Sequence, residues 1–151
     1  MKRYAILLFM SLVPLWLMSQ NYDKMWKEAE DASDKDLPKT EQKVLRQIAS
    51  KALRSKDYGQ LLAAELRYSS LAVDISPDSL EPEVRRLTAL HEKATGNAAL
   101  QSVMSVVLGR IYERNNSLGD DHKKTAKAYL DQAMANMDAL ASHHDADYSP
   151  F

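Results

Sequence analysis

The stretch DLPKTEQKVLRQIASKALRSKDYGQLLAAELRYSSLAV, residues 36–73, reads as two helices joined at Lys56-Asp57 by a turn short enough to require antiparallel neighbours. Pro38 suits the first turn of the first helix, where a residue has no intrahelical N–H bond to lose. Val44, Leu45, Ile48, Ala49, Ala52 and Leu53 then return with helical period and make one apolar stripe. Asp57 is placed to cap the second helix, in which Tyr58, Leu61, Leu62 and Leu66 form the answering stripe. Neither helix can bury its stripe alone. The pair needs each other and further helices alongside.

Those helices follow on the C-terminal side. Pro77 bars helix continuation in the turn Asp74–Ser79, and a third long helix is predicted from Leu80 to Lys93. Leu80, Val84, Leu87 and Leu90 face inward, with His91 beside them, and Pro82 is tolerated in the first turn. Gly96 then serves as the residue past the helix end and Asn97 as the next N-cap. From Ala98 to Asn115 the spacing of Leu100, Val103, Met104, Val107, Leu108, Ile111 and Tyr112 is the cleanest helical pattern in the chain. It predicts Leu108 fully buried and Arg110 exposed opposite. After a loop over Asn115–Asp121, a last helix is expected from His122 to Ser142 with Ala126, Leu130, Ala133, Met134, Met137 and Leu140 inward. Ahead of the pair, a short helix over Asn21–Ser33 is capped by Asn21 and puts Tyr22, Met25, Trp26 and Ala29 on one face, Trp26 as a core anchor.

The expected fold is all-α, an array of antiparallel helical hairpins with about six helices, whose offset of about 42 residues falls in the range of helical repeats. The tetratricopeptide pattern cannot be laid on either hairpin, so no named repeat is assigned. Composition agrees: four Gly and five Pro in 151 residues, 45% hydrophobic and 27% charged, suit a helical globular domain. The absence of Cys excludes disulfides, thiolate nucleophiles, Cys-containing zinc sites and a lipidated Cys. A formal net charge of −1 offers no electrostatic footprint for nucleic acid or for an anionic membrane surface.

At the N-terminus, MKRYAILLFMSLVPLWLMS places two positive charges before an apolar run and a small Ser19 before polar Gln20. This is the pattern of a secretory signal peptide, cut after Ser19. The expected organisation is therefore a leader over 1–19, a helical domain over 20–142, and a tail or start of a linker to a missing downstream domain over 143–151. The mature chain is expected to be exported, to the periplasm or cell envelope or beyond it, with no membrane segment left.

The search for chemistry returns little. His143, His144, Asp145 and Asp147 are metal-capable but too close in sequence to be preorganised, and read as a solvated tail. Asp120 and Asp121 beside His122 read as acids suited to a helix N-terminus, and His91 as a packing residue. Glu28 and Glu30 do not share a helix face. No G-x-S-x-G, Walker-type loop or H-E-x-x-H occurs. Asn115-Asn116-Ser117 matches an N-glycosylation triplet and Asp78-Ser79-Leu80 an O-glycosylation acceptor, alongside their plain readings as loop and helix cap. No catalytic, cofactor-binding or metal residue is assigned, and no cofactor is expected.

One resemblance bears on function. Asn21-Tyr22-Asp23-Lys24-Met25-Trp26-Lys27-Glu28, then Lys35-Asp36-Leu37-Pro38-Lys39-Thr40, Val44, Ile48, Lys51-Ala52 and Asp57-Tyr58-Gly59-Gln60-Leu61-Leu62 form the matching string. It resembles the helical region that follows the signal peptide in large bacterial alpha-2-macroglobulin-like proteins, and Ala146–Phe151 resembles a stretch that continues further in them. The likeness is strong over Asn21–Ala64 and loose from Leu80 to Ser142. Such proteins are exported, built mainly of β-sandwich domains, and trap proteases, in many members through a Cys-Gly-Glu-Gln thioester. This chain has neither the thioester nor room for the sandwiches. The resemblance implies a leading helical piece, non-enzymatic, with a structural or interactive role toward downstream domains or another protein. The alternative is a free-standing periplasmic helical-repeat protein that binds a peptide or protein.

Overall fold

Polar breaks and caps divide the chain into helices much as their chemistry requires. The computed structural model describes residues 22–141, and the regular elements among them are all helical. They are α1 (22–34), α2 (Pro38–Ser55), α3 (Tyr58–Ile75), α4 (Leu80–Lys93), α5 (Ala98–Arg114), α6 (His122–Ala135) and α7 (Met137–Ala141). Short 3₁₀ turns at Pro77–Ser79 and Asn116–Leu118 precede α4 and follow α5. The leader expected at 1–19, the Asn21 cap and the His143–Asp147 cluster lie outside the described residues.

Two compact units divide the chain, Met1–Val44 and Leu45–Phe151, with the division inside α2. In the first, Tyr22, Ala29 and Ala32 of α1 are buried, as are Glu41 and Val44 of α2. α1 stops where Asp36 turns left-handed (φ 53°), a conformation Asp tolerates better than most residues. The Leu37 amide then donates back to the Ala32 carbonyl at 2.9 Å. Trp26 is half-buried, less enclosed than a core anchor.

In the second unit α5 is the central element and packs against α3, α4, α6 and α7. Val103, Val107 and Leu108 are fully enclosed, and Arg110 is exposed, as the spacing predicts. Two of the expected caps are in place: Asp57 accepts from the Gln60 amide at 3.1 Å and Asn97 from the Leu100 amide at 3.0 Å. Asn97 also donates from Nδ2 to Tyr58 Oη at 2.8 Å, so the starts of α3 and α5 are tied together. Gly109 lets α6 come close, since a Cβ there would lie 2.7 Å from Leu130 Cγ.

Several expectations change. Leu53 is 39% exposed because it lies about 110° round the helix from the centre of its stripe, where Glu41 is buried instead. The last helix breaks at Asn136, a poor helix former, so there are seven helices among the described residues where about six were expected. Met134 and Met137 are 62% and 48% exposed: α6 turns its small Ala126 and Ala133 toward the core in place of Met134, and Met137 lies past the break on α7. On α4 Val84 and Leu90 are only half-buried while Glu83 is buried. Leu62 and Leu66 are likewise half-buried on α3. Asp121 occupies the N-cap position of α6 but makes no side-chain cap bond. His122 Nδ1 lies 2.8 Å from the Gly119 carbonyl instead.

Candidate functional site

The helical register of α3 places Glu65 and Ser69 one turn apart on a face that is otherwise apolar, and both are buried. Glu83, near the start of α4, accepts from Ser69 Oγ at 2.9 Å and from Arg86 Nε at 3.0 Å. Arg86 Nη1 reaches Glu65 Oε1 at 3.3 Å, and its Nη2 contacts both carboxylates. Burial alone would raise the Glu83 carboxyl. Hydrogen bonds from Arg86 and Ser69, with the charges of Arg86 and Arg46, outweigh it and hold the group below the usual carboxylate range. Burial likewise disfavours the Arg86 charge, and its bonds to Glu83 and Glu65 outweigh that too. The Arg46 guanidinium lies 3.9 Å from the Tyr68 ring centre and that of Arg86 5.7 Å from it. Each charge is engaged by its neighbours. The network joins α3 to α4 and leaves no group poised for proton transfer.

A second cluster resembles a nucleophile with its base. His91 Nε2 lies 3.0 Å from Ser105 Oγ and 3.2 Å from Gln132 Oε1. Tyr129 meets the His91 ring edge-on and stacks near Tyr112. Burial first, then the neighbouring Tyr112 and Glu92, pushes the Tyr129 phenol up against a lowering hydrogen bond with Thr88. Ser105 also reaches Gln132 Oε1 as a donor at 3.3 Å, and it is 0% exposed. A substrate cannot reach it. This is a polar seam between α4, α5 and α6.

The third place is open. Residues of α3 and α5 line a groove of about 740 Å³ within the second unit, in the size range of ligand clefts. Its apolar lining comes from Leu66 and Val73 of α3 and Val106, Val107 and Ile111 of α5. Arg67, Arg110 and Arg114 also line it, with Asp74 as the one acidic lining residue. Arg110 donates to Glu113 at 2.8 Å in an exposed pair, which salt and solvent weaken. An apolar floor beside guanidinium groups suits side chains of a partner segment better than it suits bond-breaking chemistry.

The residues singled out in the sequence scatter. Glu28 and Glu30 are exposed on α1, and Asn115 Nδ2 donates to the Ile111 carbonyl at 2.7 Å, so the triplet's amide helps to close α5. Ser79 sits half-buried at the end of its 3₁₀ turn. Among the described residues no group of three or more His, Cys, Asp or Glu is placed to hold a metal ion, and no helix is long and apolar enough to cross a membrane. The groove has no signature in the sequence, because its residues come from two helices with no shared local pattern. Glu65 and Glu83 carried a signal: each falls on the helical period of its own apolar stripe. No family model, curated protein or solved structure matches the chain.

Proposed function

We propose that this chain is a non-catalytic module of an exported protein with a structural or protein-interaction role, the leading helical segment of an alpha-2-macroglobulin-like protease inhibitor. The observation that carries the interaction role is the α3–α5 groove, apolar along its floor and lined by three arginines. A non-catalytic reading is supported by the enclosure of Ser105, which keeps the His91 contact away from any substrate. The family reading rests on the residues from Asn21 to Ala64, whose packing and turn types resemble that family's helical region. Arrangement as successive hairpins is supported for α4 with α5, which pack against one another across the turn at residues 94–97. Export rests on the Met1–Ser19 pattern.

Reading the gene beyond Phe151 tests the assignment. A frame that continues into β-rich domains is the expected result. A stop codon at that point would favour the alternative, a free-standing periplasmic binder, for which the same groove is the specific support.

A further inference from the structure

We propose that the α3–α5 groove receives a short acidic segment of a partner protein, with an aliphatic or aromatic side chain seated on Val106 and Val73 and carboxylates turned toward Arg110 and Arg114. The proposal rests on the interaction reading above and names the partner's chemistry. Three observations carry it.

The first is charge. The whole chain is slightly acidic, yet the groove lining gathers Arg67, Arg110 and Arg114 with Asp74 as its one acid, and Arg110's pair with Glu113 is exposed and open to exchange. Arg110 and Arg114 are one helical turn apart on α5, a spacing that lets two guanidinium groups meet carboxylates on successive exposed positions of a bound segment. The second is the floor. Val106 and Val73 are half-buried, so they still have apolar surface to remove from water, whereas Val107 and Ile111 beneath are already enclosed. An anion without an apolar group, such as free phosphate, would leave that surface wet. The third is length. From Ala63 to Asp74 the groove wall runs about 16 Å along α3, the reach of about five extended residues or three helical turns.

The test is a selection of random 12-residue peptides displayed on phage against the full mature chain, with counter-selection on an R110E/R114E variant. Both arginines are exposed, so the variant should keep its helicity and melting temperature, which circular dichroism checks. Expected sequences combine Asp or Glu with Leu, Ile or Phe. A synthetic peptide from that set should bind at least tenfold more weakly to R110E/R114E, weaken with salt, and lose affinity when its acids become Lys. Its amide shift changes should map to α3 and α5. A set without acidic enrichment, or equal affinity for the variant, overturns the acidic assignment and leaves the interaction role to whichever peptide binds; no enrichment at all overturns the groove as a docking site.

Two other occupants have their own signatures, and either would overturn the proposal. If the chain's own residues 142–151 fill the groove, D145K/D147K in the full chain should raise affinity for the peptide. If a second copy fills it, sedimentation should show a dimer that R110E/R114E dissociates. The gene-frame result is independent of all these outcomes, so failure here and failure of the family reading are separable.

Discussion

Gly109 shows how a single hydrogen in place of a methyl can set the distance between two helices. A Cβ there would meet Leu130 Cγ at 2.7 Å, Cδ2 at 2.8 Å and the Ala126 carbonyl oxygen at 3.3 Å. Ala is the better helix former by about 1 kcal/mol, but the overpacking costs about 1–3 kcal/mol. Gly109→Ala should therefore lower stability in urea unfolding, and Leu130→Ala should relieve part of the loss when the two are combined. A gain in stability from Gly109→Ala alone would show that α6 does not sit this close. Ser102 points the other way: its buried hydroxyl has no hydrogen-bond partner among the described residues. Ser102→Ala should be neutral or stabilising by about 1 kcal/mol, since it removes an unmet polar group and improves helix propensity. Glu83 is the residue whose protonation matters. Its folded pKa is depressed, so it contributes stability that is full above the unfolded glutamate value of about 4.3 and is lost as pH falls through the lower folded value. Glu83→Gln should cost about 1–3 kcal/mol at pH 7, with Arg86 still held by Glu65, and the gap to wild type should narrow below about pH 4. Denaturation series at pH 3–7 measure both. A gap that stays constant with pH would mean the carboxylate gains nothing from Arg86.

Among the elements, α5 carries the second unit because it is enclosed on most of its circumference. Leu108 is 0% exposed and contributes apolar burial that nothing else replaces. Leu108→Ala should cost about 2–5 kcal/mol, while Arg110→Ala, on the solvent side, should cost under about 0.5 kcal/mol. Equal small effects in chemical denaturation would mean that α5 is not packed as described. The helix boundaries show what local chemistry can and cannot settle. Asp57 and Asn97 cap as expected because a side-chain oxygen three residues before an orphan amide needs only local geometry. Leu53, Met134 and Met137 read as buried and are not, because periodicity finds the apolar side of a helix but not how far a neighbour covers it. Glu65, Ser69 and Glu83 lie on those covered sides as polar residues, and their burial is tolerable because Ser69 donates to Glu83 and Arg86 bonds both carboxylates.

For the whole molecule, the proposed export is the reading most directly open to measurement. Mass spectrometry of exported protein should find an N-terminus at or next to Gln20; an intact Met1 in the periplasm would remove the leader. The sequence by itself determined the all-helical class, most helix starts, and the identity of α5 as the densest apolar element, because these follow from period and capping within a few neighbouring residues. Tertiary structure alone decided three things. It placed Arg86 between two buried carboxylates, it enclosed the Ser105–His91 contact beyond reach of a substrate, and it opened the groove between α3 and α5. The decisive contacts join different helices, 21 residues apart in sequence for Arg86 and Glu65 and 14 for His91 and Ser105, meeting at a particular distance and angle, whereas the Arg86–Glu83 pair is local to α4. That distance is set by how bulky or small the facing residues are, as at Gly109 and Leu130, and no pattern within one helix encodes it.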